Sequence, residues 1–364
     1  MVALRPVLPA RLLDRRTDRR DRLDPSGRTR QAPFGWGRAR NLRAMPRADA
    51  PPLSPVQRET LDALGAGGTR PSFPDDLRDR LRTDLEDGLA PLVANLAADE
   101  GLVVSKHLLS RVHGCQVRLL AEDDGDFTAS VPVARGTVSH KAIELGIHWP
   151  HEPYPLDLVD EAMARISGGD HWLTDFLQTC SEAERAELRA TAGDRVAKFF
   201  ECFPRLQPKW RPVTESSLWI DLVHKRVTLR GKVDLTLGTA RGNEAGKVII
   251  DLKTGSPRTG HRDDLRFYAL LDTLRTGVPP RLIASFYLDT GRPEVEAVTE
   301  ALLDATVART VDGAVQLTEL RAGTRAPVHR PAHDCRWCPV LPTCDVGRRW
   351  LSDEDVALPE PDEA

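Results

Sequence analysis

The stretch VIIDLKTG, residues 248–255, is an apolar run that closes on two charged side chains, Asp251 and Lys253. In an extended strand, positions i and i+2 share a face, so these two side chains project together while Leu252 points into the opposite layer. Upstream, GKVD (residues 231–234) sets Asp234 between Val233 and Leu235, where an apolar residue would cost less. If the two strands pair, their carboxylates converge within reach of a single ion. Hard oxygen ligands of this kind suit Mg²⁺ or Mn²⁺, which keep part of their shell for water and phosphate oxygens. Lys253 would then orient a water and offset charge growing on a phosphate. The alternative is a plain ion pair at a sheet edge, with Asp234 solvated.

The surrounding pattern makes this region an α/β core. SLWIDLVHKRVTLRGKVDLTLG (217–238) alternates as two antiparallel strands joined near His224 and Lys225, and GKVIIDLKTG (246–255) is a third strand. A helix over RDDLRFYALLDTLRTG, a strand over RLIASFYLD and a long helix over residues 296–320 follow. Upstream, Leu77, Leu81, Leu85 and Leu89 recur at helical spacing, Ser105 caps a second helix, and a short helix opened by Gly136 and Thr137 carries His140. Residues 155–203 are mostly helical, EAERAELRATAGDRVAKFFECF being the clearest case. The order of elements predicts helices on a mixed sheet.

A formal net charge of −3 excludes a uniformly basic coat but leaves room for a local positive groove. No stretch approaches the roughly 20 apolar residues of a membrane span, and the expected compartment is the cytoplasm. Six cysteines in such a compartment are poor disulfide candidates. Cys180 and Cys202 read as small core residues. CRWCPVLPTC instead places Cys335, Cys338 and Cys344 at C-x₂-C-x₅-C spacing, with Pro339 and Pro342 shaping the loop. Three thiolates need a fourth, and four hold either Zn²⁺ or an Fe–S cluster, a choice spacing leaves open. A nucleotide-driven motor is not expected, since GNEAGKV (242–248) lacks both the glycine spacing and the Ser or Thr of a phosphate-binding loop.

Taken in order, GTVSHKAIE with His140, GKVD with Asp234, DLK with Asp251 and Lys253, and DLRFY with Tyr268 resemble the PD-(D/E)xK nuclease superfamily. The resemblance is specifically to its RecB-like branch, which includes the iron–sulfur nucleases of CRISPR adaptation. The resemblance implies a restriction-endonuclease-like α/β core, a mixed central sheet flanked by helices, with a helical N-terminal extension and a C-terminal Cys-rich segment. It implies a metal site of His140, Asp234, Asp251 and the Leu252 carbonyl, with Lys253 as the catalytic cation. It also implies that Cys115 joins Cys335, Cys338 and Cys344 around a 4Fe-4S cluster, Zn²⁺ being the alternative. Tyr268 would orient Lys253 or touch a phosphate, or else fill the core. Where the family carries Gln this chain has Asp264, which puts rate and polarity in question.

The expected organisation is an Arg-rich disordered leader over 1–52, a helical extension over 53–100, the nuclease domain over 101–350 and an acidic tail over 351–364. Met45 leaves open a second start. Arg258, Arg262 and Arg266 are candidates to track a DNA backbone, or a solvated basic face. The function these features imply is Mg²⁺- or Mn²⁺-dependent hydrolysis of DNA, as an exonuclease on single strands or ends. The setting would be repair, recombination or CRISPR and phage defence, with a helicase or other repair partner and no membrane. The alternatives are a DNA-binding adaptor that cleaves poorly and a zinc-stabilised interaction module.

Overall fold

The long strand Val227–Leu237 organises the architecture because three other strands share its two edges. The computed structural model describes residues 52–357 apart from 95, 98, 99, 124–129, 151 and 170. The Arg-rich leader and the last residues of the acidic tail lie outside them. In chain order the elements are α1 (Pro55–Ala63), α2 (Leu77–Val93), β1 (Leu102–Ser105), α3 (Lys106–His113), α4 (Gln116–Asp123), α5 (Val131–Ile147), α6 (Pro155–Ser167), α7 (Thr174–Thr179) and α8 (Glu182–Cys202). They continue with β2 (Val213–Leu222), β3 (Val227–Leu237), β4 (Val248–Lys253), α9 (Thr259–Thr276), β5 (Leu282–Tyr287), β6 (Arg292–Ala297), α10 (Glu300–Arg321) and α11 (Asp345–Ala357).

The sheet runs β1-β3-β4-β5-β6, with β2 on the other side of β3. β2 and β3 form the antiparallel hairpin expected from the alternation, Leu222 pairing with Val227 at its turn. On its second edge β3 is divided. Its first residues, Val227 to Arg230, pair in parallel with β1, and its last, Leu235 to Leu237, pair antiparallel with β4. The C-terminal ends of β1 and β4 therefore run toward each other and meet beside residues 231–234, where neither continues the ladder. This opening brings the end of β1, the end of β4 and Asp234 to one place.

Two apolar layers cover the sheet. On one side α2, α3, α9 and α10 pack with Leu229 and Val233, and on the other α5, α6 and α8 pack with Leu235, Ile250 and Leu252. Leu77, Leu81, Leu85 and Leu89 are all fully buried, so α2 is part of this core. Burial of each such side chain contributes about 1.5–3 kcal/mol.

Residues 102–105, left unassigned by the sequence, form β1, and Ser105 caps α3 as expected. Three expectations need correction. The long helix expected from residue 296 begins at Glu300 behind the Thr299 cap, residues 296 and 297 belonging to β6. α5 starts at Val131 with Pro132 in its first turn, so Gly136 and Thr137 lie inside the helix. Gly136 packs closely on the loop leaving β4: a Cβ there would stand 3.2 Å from Thr254 Oγ1, a tight contact. Finally, α11 extends to Ala357, so the start of the acidic tail continues a helix.

One buried pair ties the start of β4 to α9: Lys247 Nζ lies 2.7 and 2.8 Å from the two Asp272 carboxylate oxygens. Burial raises the Asp272 pKa even against that ammonium. Lys247→Met would leave the carboxylate uncompensated, and a loss of about 3–5 kcal/mol is expected at neutral pH. A carboxylate whose folded pKa exceeds its unfolded value destabilises the fold above that pKa and ceases to do so once protonated. The deficit should therefore shrink as pH falls, which urea unfolding midpoints at neutral and mildly acidic pH would measure.

Candidate active site

At the opening in the sheet, each side chain arrives by a different route. The β3–β4 register pairs Leu235 with Ile250, and its next step sets Asp234 opposite Asp251. Asp234 Oδ2 accepts a hydrogen bond from the Leu252 amide at 2.8 Å, so the carboxylate takes the place of a missing ladder partner. Its other oxygen lies 3.5 Å from His140 Nδ1 on α5. Burial works against a charge on His140, but the Asp234 carboxylate, with Asp251 and Glu215 behind it, lifts its pKa above the ordinary value.

Asp251 is almost wholly buried, 1% exposed, and stands between two ammonium groups. Lys253 Nζ is 2.7 Å from Oδ2, confirming that the i and i+2 side chains share a face. Lys106 Nζ, the first residue of α3 just beyond β1, is 2.9 Å from Oδ1. Burial alone would raise the Asp251 pKa; the two lysines outweigh it and hold the carboxyl well below the usual range. Asp251 Oδ2 is buried, with the Lys253 ammonium as its near neighbour. The carboxylates of Asp234 and Asp251 are hard oxygen donors of the kind a divalent cation takes, and His140 stands beside Asp234.

Asp264, on α9, has Oδ2 3.2 Å from Lys253 Nζ and 4.0 Å from Lys106 Nζ. Burial raises its pKa despite both lysines. Tyr268 is buried beneath Lys106, whose ammonium lies 4.7 Å from the ring centroid, and burial pushes the phenol up to about 12. Of the roles the sequence left open, Lys253, a phosphate or the core, the ring is part of the core, and its cationic neighbour is Lys106. The ring also explains the glycine of GKVD: a Cβ on Gly231 would come within 2.6 Å of Tyr268 Cε1.

Three members of the site were not anticipated. Lys106 reads in sequence as an ordinary first-turn cation. Glu215 stands across the hairpin from Asp234, between Thr214 and Ser216, whose partners are Leu235 and Val233. Its backbone has φ 54°, a conformation costing about 1–3 kcal/mol for a residue with a Cβ. Burial first, and Asp234 among its neighbours, raises the Glu215 pKa although Lys232 forms an ion pair with it. His261, with Nδ1 3.1 Å from the Tyr287 hydroxyl, is lowered to about 4 by burial and then by Lys253, and so stays neutral.

The three candidate arginines, Arg258 just before α9 and Arg262 and Arg266 within it, all have carboxylate neighbours, although Arg258 and Arg262 stay exposed. Arg266 makes a forked pair with Glu296 at 2.6 and 2.9 Å, Arg258 lies 2.6 Å from Asp334, and Arg262 is 3.9 Å from Glu294. Cys115, Cys335, Cys338 and Cys344 line one small cavity together with His329 and Arg118. Cys344 Sγ accepts from the Gly347 amide at 3.3 Å and Cys335 Sγ from the Ala332 amide at 3.4 Å. All six cysteines are free thiols. Among the described residues no three His, Cys, Asp or Glu side chains are gathered as a ready-made metal site.

A mixed sheet flanked by helices, with acidic residues and a lysine at the ends of adjoining strands, defines a restriction-endonuclease-like α/β protein. The chain matches the PD-(D/E)XK nuclease superfamily over residues 105–345 and belongs to it. Among solved structures it is similar to SSO0001, with 13% identity, a TM-score of 0.32 and coverage of 73% of this chain and 95% of that one. It is also similar to a protein described as a candidate exonuclease from Eubacterium rectale, with 13% identity, a TM-score of 0.41 and coverage of 69% and 88%. No curated protein matches. Among the described residues no helix is long and apolar enough to cross a membrane.

Proposed function

We propose that this protein is a divalent-metal-dependent deoxyribonuclease of the RecB-like branch, acting as an exonuclease on single-stranded DNA or DNA ends. The observation that carries the reading is the placement of Asp234, Asp251, Lys253 and His140 around one opening in the sheet, from three segments spread over more than a hundred residues. Asp234, Asp251, His140 and the Leu252 carbonyl would hold Mg²⁺ or Mn²⁺, with Glu215 near enough to add a carboxylate. The cation supplies Lewis-acid polarisation of the scissile phosphate and makes water more acidic.

The rest is the work of the chain. Asp234, pinned by the Leu252 amide, is fixed before substrate arrives. Lys253 is held by Asp251 and Asp264 at the mouth of the site, where its ammonium positions the attacking water and offsets charge on the phosphoryl oxygens. Lys106 places a second positive group on the far oxygen of Asp251, and His261 stays uncharged beside Lys253. We further propose that Cys115, Cys335, Cys338 and Cys344 bind a 4Fe-4S cluster that staples the C-terminal segment to α3 and α4, Zn²⁺ being the competing occupant. Their convergence on one cavity and the amide donors to two of the sulfurs support this. DNA repair, recombination or CRISPR-linked and antiviral defence would suit the activity, with unwinding left to a partner helicase.

Purified full-length protein should degrade end-labelled single-stranded DNA in Mn²⁺ and not in EDTA. DNA binding without any products in Mn²⁺ would favour the adaptor reading.

A further inference from the structure

The outward face of the β2–β3 hairpin leads away from the site with its charges and rings exposed. Leu218, Ile220 and Leu222 of β2 and Val227, Leu229 and Val233 of β3 point inward and are buried. The alternate positions face out: Ser217 pairs across the ladder with Lys232, and Trp219 with Arg230. The Trp219 side chain is 65% exposed, high for the largest apolar side chain. Arg230 is exposed and makes no ion pair among the described residues, unlike the arginines of α9. Lys232 is exposed too, and its pair with Glu215 carries the same face up to Asp234. Arg230 and Asp234 are four residues apart on one strand, about 13 Å at about 3.3 Å per residue.

We propose that this face is the track along which a single strand of nucleic acid enters the site, with a base stacked on Trp219 and its backbone held by Arg230 and Lys232. A phosphate chain complements the unpaired cation, and the flat indole complements a base. Bases in a duplex have no free face to offer, so the track selects an unpaired strand. The proposal rests on the nuclease reading for its direction of travel, but it is tested separately from cleavage.

Full-length protein is titrated in EDTA with a fluorescein-labelled oligodeoxythymidylate and with a duplex of equal length. Trp219→Ala should weaken oligodeoxythymidylate binding about tenfold and remove most of the intrinsic tryptophan quenching seen with the wild-type protein. Arg230→Ala should weaken binding and reduce the slope of log K against log salt by about 0.7. Both side chains are exposed, so melting temperatures should not change. Single-strand binding by both variants equal to wild type overturns the track, as does a loss confined to the duplex. Wild-type protein that binds with Trp219-dependent quenching yet cleaves nothing in Mn²⁺ would remove the nuclease reading and leave the track standing.

Discussion

Lys253→Ala is expected to lower metal-dependent cleavage of single-stranded DNA by about 10²–10³-fold while leaving DNA binding within about twofold of wild type. The expectation follows from where the ammonium stands. It is 2.7 Å from Asp251 and 3.2 Å from Asp264, so its position is set by two carboxylates on different elements, β4 and α9. A cation fixed in this way needs no rearrangement to meet charge that appears only in the transition state, and such groups act on the rate more than on affinity. Removing it should lower kcat with KM little changed. Lys253→Arg should recover only part of the rate, because a planar fork cannot occupy the same point between two carboxylates. Unchanged cleavage by Lys253→Ala would end the proposed mechanism. A parallel fall in binding and rate would mean that Lys253 serves substrate affinity instead.

Loss of a cysteine should have a comparably large effect, on stability. Anaerobically purified protein is expected to carry iron and acid-labile sulfide with a visible absorption band. Cys115→Ser and Cys338→Ser should each strip both and lower the melting temperature by about 10 °C. The segment carrying Cys335, Cys338 and Cys344 is built of short turns whose described residues include no fully buried side chain. It has little hydrophobic attachment of its own. Cys115 lies between α3 and α4 in the main body, so one bound group would close a loop of about two hundred residues and draw that segment onto the helices. Zinc in place of iron would keep the stability effect and discard the cluster. Protein free of both metals, with melting indifferent to Cys338→Ser, would remove the staple.

The parts of this molecule that were legible in its sequence are those where period and chemistry coincide. The leucines of α2 repeat every four residues, the hairpin alternates strictly over more than eight residues, and Asp251 and Lys253 could be placed on one face from geometry alone. Where a residue acts through long-range placement, the sequence was silent. Lys106 sits at the site because β1 and β4 approach each other along one edge of β3, a matter of topology that no local pattern records. Glu215 enters through a left-handed backbone inside a strand, at a position that local propensity would make ordinary. β6 was passed over because its partly exposed sequence, RPEVEA, has no buried alternation to announce it. The α9 arginines show the converse: a charge cluster is visible in sequence, but its carboxylate partners on β6 and near the cysteines are not.

The divided edge of β3 also bears on how the protein is made. Lys106, His140, Asp234 and the β4 pair leave the ribosome in that order, and no truncated product ending before residue 253 contains the full set. Translation products that end before residue 253 should therefore be inert toward the nucleic acids around them, because the proposed chemistry is completed only when β4 has been made.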